Sequence, residues 1–169
     1  MGAIFVTHPR PLSNGRTTPE GNLLLYNMVQ PLLKGTGEIV TTGVLRTDQP
    51  GTSLSQMTGL PRRVVRKLGP IRGLPLPSPF SGTLFYSAIS SPSISEAILF
   101  LWTLGLLPGC EPPEVFTRRV AGGLREAEGA IAIISRETEL ARMVIFGEKP
   151  SLIEAIKEGV PPPLHIVLT

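Results

Sequence analysis

The sequence predicts an α/β protein: three layers, α/β/α, around a mainly parallel sheet, folded as one domain over residues 1–169. Three observations predict it. Short apolar runs recur along the chain, and the segments between them carry helix-start signals. The run Gly129-Ala130-Ile131-Ala132-Ile133-Ile134 is apolar without alternation, as a strand covered on both faces must be, and a helical segment follows at once. The 18 prolines and 18 glycines fall between such segments, so they punctuate short, stiff loops rather than mark disorder. That density of proline also fits a thermophilic source.

The elements follow in order. Ala3 to Thr7 reads as a buried strand ending at His8-Pro9. A polar loop from Arg10 to Thr17 leads to Thr18-Pro19-Glu20, with Thr18 as N-cap and Pro19 at the first helical position. This helix is expected to run to about Lys34, kinked or shortened by Pro31. Glu38 to Thr42 is a second strand, closed by Gly43, and a short polar helix covers Leu45 to Thr58. Arg63 to Leu68 is expected as a third strand and Leu74 to Phe80 as a proline-rich loop. Helices are expected from about Ile94 to Leu107 and from Pro112-Pro113 to about Glu128. After the strong strand come helices from about Glu137 to Phe146 and from Pro150 to Glu158, then a last strand from Leu164 to Thr169.

Composition excludes several functions. A single cysteine, Cys110, permits no internal disulfide and no cysteine-rich metal centre. His8 and His165 lie far apart and no metal-ligand spacing surrounds either, so no metal and no cofactor is expected. No apolar run reaches about 18 residues and no leader pattern opens the chain, so no membrane association and a cytoplasmic location are expected. The net charge of +3 hides an asymmetry. Between Asp48 and Glu96 there is no carboxylate, while Arg62, Arg63, Arg66, Lys67 and Arg72 all fall there. Such a stretch suits a phosphate-bearing ligand or nucleic acid, and equally a solvated basic face.

In parallel α/β sheets the ligand crevice lies outside the carboxyl ends of the strands. His8 follows the first strand, Arg46 the second and Arg136 the strong late one, with Arg10 two residues past His8. If those strands are neighbours, an imidazole and up to three guanidiniums converge. Guanidinium supplies planar, permanently charged donors for phosphate oxygens, and a neutral imidazole is a nucleophile toward phosphorus. Taken singly, His8 also fits a structural turn, and Arg46 and Arg136 also fit helix starts with solvated heads.

The order of these segments resembles the histidine phosphatase superfamily, which includes the phosphoglycerate mutases. Phe5-Val6-Thr7-His8-Pro9 stands where that family has a strand ending in Arg-His-Gly. Thr17-Thr18-Pro19-Glu20-Gly21 matches its Leu-Thr-x-x-Gly helix start. Thr42-Gly43-Val44-Leu45-Arg46-Thr47-Asp48-Gln49-Pro50 fills its Ser-x-x-x-Arg-x-x-x-Thr segment, and Ser135-Arg136-Glu137 its late Ser-His-Gly turn. The resemblance covers most of the chain apart from about Gly73 to Pro113, and implies a phosphoglycerate mutase-like fold.

The resemblance also implies His8 as the catalytic nucleophile, forming a phosphohistidine, and Arg46 as a phosphate-binding arginine. Arg10 and Arg136 become phosphate-binding candidates that replace, respectively, the arginine lost at Thr7 and the histidine lost at position 136. The family's acid position falls in the carboxylate-free stretch around Arg66 to Gly73. A missing general acid costs about 10²- to 10⁴-fold in rate. The expectation is a phosphoryl-ligand-binding protein with weak or absent phosphatase activity, its partner a phosphorylated small molecule or phosphate. One alternative is an active phosphomonoesterase or mutase drawing its acid from Glu96, Glu111 or Glu114. The other is a basic module binding nucleic acid or protein, with little aromatic surface for stacking.

Overall fold

The computed structural model describes residues 2–12, 14–73 and 92–169. Its sheet is formed by β1 (Ile4–Thr7), β2 (Ile39–Thr41), β3 (Arg62–Val64), β4 (Ile131–Ile134) and β5 (Ile166–Leu168), in the order β3-β2-β4-β1-β5. All neighbouring pairs are parallel except β1 with β5, which is antiparallel at one edge. The helices are α1 (Pro19–Val29), α2 (Leu45–Thr58), α3 (Pro92–Thr103), α4 (Pro113–Glu126), α5 (Arg136–Ile145) and α6 (Leu152–Glu158).

Alternate residues of the central strands feed two cores, which is why their sequences are apolar throughout. Val6, Ile39, Ile131 and Ile133 pack with Leu25, Val29 and Leu54 under α1 and α2. Phe5, Val40, Ala132 and Ile134 pack on the opposite face with Phe116, Val120, Leu140 and Ile156. The three-layer α/β/α architecture is therefore as the sequence predicts.

The helix boundaries show which local signals governed. Thr18 caps α1, its hydroxyl accepting from the Gly21 amide at 3.0 Å. Pro31 shortens the helix as expected: α1 stops at Val29 and continues as one 3-10 turn, Gln30–Leu32, short of Lys34. The helix α3 ends before the expected Leu107, because Gly105 at φ 73° takes a left-handed cap. There the Leu106 amide reaches the Leu101 carbonyl and the Gly105 amide that of Trp102. The expected strand from Arg63 to Leu68 is corrected to Arg62–Val64 followed by a 3-10 turn at Arg66–Leu68. The guanidinium of Arg119 causes the turn, collecting the carbonyls of Lys67, Gly69 and Pro70. The proline-rich segment from Leu74 to Phe80 lies outside the described residues.

Two glycines fix how β2 hands the chain to α2. Gly51 lets the helix lie directly on the strand, since a Cβ there would stand 2.1 Å from Thr41 Cγ2. Gly43 turns at φ 94°, against the Arg66 guanidinium. The turn is then tied to the helix it precedes. The Gly43 amide donates to Asp48 Oδ1 at 3.0 Å, and the Thr42 amide to Thr47 Oγ1 at 3.2 Å. These bonds place Arg46 in the first turn of α2, facing the ends of the strands.

Among the described residues, no helix is long and apolar enough to cross a membrane.

Candidate functional site

Because β2, β4 and β1 are adjacent and parallel, the residues that follow them emerge at one edge of the sheet. His8 follows β1, Arg46 opens α2 after β2, and Arg136 opens α5 after β4. The charges of Arg46 and Arg136 both act on the His8 ring, and that of Arg10 acts on Arg136. The structure thus brings the four sequence-predicted residues into one cluster. His8 and Arg46 are buried within it, and Arg10 is exposed at its rim.

His8 extends the ladder, its amide donating to the Ile134 carbonyl at 3.0 Å. Its Nδ1 lies 2.8 Å from the Pro9 carbonyl oxygen. A carbonyl only accepts, so Nδ1 carries the proton and the lone pair sits on Nε2. Burial, and then the Arg46 charge, lower the His8 pKa to about 3 against the Pro9 hydrogen bond, which favours the charged form. The ring is therefore neutral at neutral pH. Replacing the resembled family's glycine by Pro9 keeps the one feature used here, a carbonyl at that position.

Arg46 is 7% exposed, and its Nη2 donates to Glu137 Oε1 at 3.2 Å. Its Nε is buried and has no partner among the described residues. Arg136 is held by its Nε, which donates to the Pro161 carbonyl at 2.5 Å. Burial lowers the Arg136 pKa, the Glu137 and Glu96 carboxylates oppose this, and Arg10 adds to it. Thr7, standing where the resembled family has its first arginine, serves the tail instead. Its hydroxyl donates to the Pro162 carbonyl at 2.7 Å and accepts from the His165 amide at 2.8 Å.

The sequence reading missed two participants, Glu137 and the carbonyl of Pro161. An acidic residue in the first turn of a helix reads as an ordinary partner of the helix dipole, which hides Glu137. The proline run reads only as a loop, and no side-chain pattern announces a backbone acceptor. Of the carboxylates considered as acids, Glu96 lies near enough for its charge to act on Arg136. Glu111 is committed elsewhere, paired with Arg119 at 2.6 Å and 8% exposed. Among the described residues no three of His, Cys, Asp and Glu cluster as metal ligands.

The basic stretch is less free than its sequence implies. Glu38 pairs with Arg63 at 2.7 Å, Glu126 with Lys67 at 3.1 Å, and Asp48 stands 3.7 Å from Arg62. Carboxylates absent from the stretch itself are supplied by neighbouring elements.

Fold and site together define a class: a phosphoglycerate mutase-like α/β domain with a neutral histidine and three arginines at the strand ends. No family model matches the chain, and no curated protein sequence matches it. Solved structures do, among them phosphatases and a phosphoglycerate mutase. The chain is similar to a mycobacterial glucosyl-3-phosphoglycerate phosphatase solved with VO3, at TM-score 0.66 and 13% identity, covering 97% of this chain and 88% of that one. It is similar to the alpha-ribazole phosphatase of Shigella flexneri at TM-score 0.62 and 11% identity, over 98% and 88% of the two chains. It is also similar to a phosphoglycerate mutase from Bacillus anthracis str. Sterne, at TM-score 0.57 and 10% identity, over 86% and 79%. At these identities the likeness is one of fold.

Proposed function

We propose that this chain is a divergent member of the histidine phosphatase superfamily that binds a phosphorylated small molecule or phosphate between His8, Arg10, Arg46 and Arg136, and that it hydrolyses phosphate esters slowly or not at all. The observation that carries the reading is the pairing of a neutral, tautomer-fixed His8 with an under-bonded Arg46. A buried guanidinium with a donor that no protein group fills is free to take up an acceptor from outside, and an anion is the strongest such acceptor. Structures similar to this one were solved with VO3 and with inorganic phosphate.

Slow turnover follows from the donor set. In this reading the His8 Nε2 lone pair attacks phosphorus, forming a P–N bond as the P–O ester bond breaks. The leaving oxygen then needs a proton. The three arginines cannot give one, because guanidinium stays charged. They hold the dianion as well before the reaction as during it, and uniform binding does not accelerate chemistry. The site is thus better suited to holding a phosphoryl group than to transferring it.

A second reading, an active phosphomonoesterase, is favoured by one observation: the Glu96 carboxylate lies within electrostatic reach of Arg136. One assay separates the two. Millimolar phosphate or vanadate is expected to raise the melting temperature of the wild type and to leave that of His8→Ala and Arg46→Gln nearly unchanged. Turnover of p-nitrophenyl phosphate is expected near background in all three. Robust turnover that His8→Ala abolishes and Glu96→Gln reduces at least 100-fold establishes the second reading instead. The absence of any thermal shift together with background turnover sinks both.

A further inference from the structure

The site contains an anion of its own. Glu137 Oε1 is the sole hydrogen-bond partner of the Arg46 guanidinium among the described residues, at 3.2 Å, and so takes up a donor that the anion-binding reading assigns to a phosphoryl oxygen. We propose that Glu137 is a built-in competitor: its carboxylate occupies Arg46 while the site is empty, and an incoming phosphoryl group displaces it toward solvent. This rests on the anion-binding reading above and adds to it the residue that sets the affinity.

Three features support displacement over a permanent structural bond. The first is geometry. One carboxylate oxygen meets one guanidinium nitrogen, leaving Arg46 Nε without a partner among the described residues, whereas two oxygens of a tetrahedral phosphate can engage two nitrogens of the planar guanidinium at once. The second is exposure. The Arg46 side chain is 8% exposed but that of Glu137 is 20%, so the carboxylate has water on one side into which to rotate. The third is charge. Arg46 is paired with Glu137, and Glu137, Glu96 and Arg10 all act on the Arg136 charge, so these three arginines and two carboxylates carry one net positive charge at rest. With Glu137 turned outward two remain, matching a phosphomonoester dianion. His8 adds none, being neutral.

Calorimetric titration of inorganic phosphate at pH 8 into the wild type, Glu137→Gln, Arg46→Gln and the double variant tests this. Glu137→Gln is expected to bind phosphate about threefold to fivefold more tightly, the upper part of the range for releasing a partly exposed ion pair. In the Arg46→Gln background the same substitution is expected to change affinity less than twofold, because no competition remains to be relieved. Glu137→Asp, one methylene shorter, keeps the charge and loses the reach, so it is expected to tighten binding as well. It serves as the folded control if Glu137→Gln is unstable. Phosphate that binds the wild type but binds Glu137→Gln no better overturns the competitor role and leaves the anion site standing. So does tightening that is equal with and without Arg46, since that is a general field effect. Phosphate that binds neither the wild type nor Glu137→Gln overturns the anion site itself.

Discussion

Two buried arginines engage carboxylates of the helix α5, Arg142 from within it and Arg46 from α2, and they are built differently. Arg142, 1% exposed, spends its Nε on both oxygens of Glu139 and its two terminal nitrogens on Glu148. Arg46, nearly as buried, has a single bond to Glu137 and an unmet Nε among the described residues. Both carry the same charge in a similar low-dielectric setting, and the difference lies in saturation. A guanidinium whose donors are filled by its own chain holds elements together. One left short of acceptors is the one that the proposed function assigns to a ligand. Arg119 belongs with Arg142: it bonds Glu111 through two nitrogens and four backbone carbonyls besides.

The sharpest way to break the comparison is to remove each arginine in turn. Arg142→Met strands Glu139, which is 1% exposed. Burial already pushes the Glu139 carboxyl above its usual range in spite of Arg142. The expected loss is about 3–5 kcal/mol, the cost of leaving a buried charge unpaired. Arg46→Met leaves Glu137, which can turn to water, and removes an under-bonded cation. The expected change is under about 1 kcal/mol and of either sign, because apolar replacement of a poorly compensated buried charge is often neutral. Urea denaturation of both variants reads the contrast. Equal losses would show that saturation does not separate the two roles.

A second test reads the site through pH. The His8 pKa is about 3 in the folded chain against 6.5 for the free side chain. Below pH 6.5 the unfolded chain therefore binds a proton that the folded chain refuses. This part of the stability is complete above 6.5 and is lost as pH falls toward 3. Between pH 7 and pH 5 the loss attributable to His8 is about 2 kcal/mol, from a limiting slope of roughly 1.4 kcal/mol per pH unit. His8→Asn is expected to flatten the dependence by that amount. Glu139 beside Arg142, whose carboxyl burial pushes up, has the opposite sign, adding stability as pH falls, so the difference between wild type and the Asn variant isolates the His8 part; parallel profiles would move the acid sensitivity away from the site.

The sequence exposes backbone-level rules well and side-chain partnerships poorly. Every strand and helix it predicts within the described residues is present, because apolar runs, Thr18-Pro19 and the Gly43 turn act locally. The α2 limits, Leu45–Thr58, are met at both ends. The third strand was overextended because its end is set by Arg119, more than fifty residues away. His8, Arg46 and Arg136 were legible as strand-end residues once the strands were taken as neighbours. Glu137 was not, since its role depends on which arginine it reaches across the sheet rather than on its place in the helix. The pairing of Arg142 with Glu148 was hidden for a related reason: Gly147, at φ 76°, turns the chain back after α5 and brings that carboxylate around.

The smallest expected effect lies at the third kind of arginine and lysine, the exposed pairs on the β3 side. Arg63 with Glu38 and Lys67 with Glu126 have half-exposed side chains and sit in water-like surroundings. Arg63→Ala and Lys67→Ala are each expected to change stability by less than about 0.5 kcal/mol, and by less still at high salt. The same variants measure how much of the basic stretch is available to a partner. A guanidinium already engaged by a carboxylate must give up that bond before it meets a phosphate, so it releases fewer counterions on binding. Nucleic-acid affinity is therefore expected to be weak, and the double variant is expected to alter its salt slope by less than one. A slope that falls by about two would mean that both side chains contact phosphates directly and that their intramolecular pairs yield. The competitor mechanism assigned to Glu137 would then operate on the surface as well as in the site.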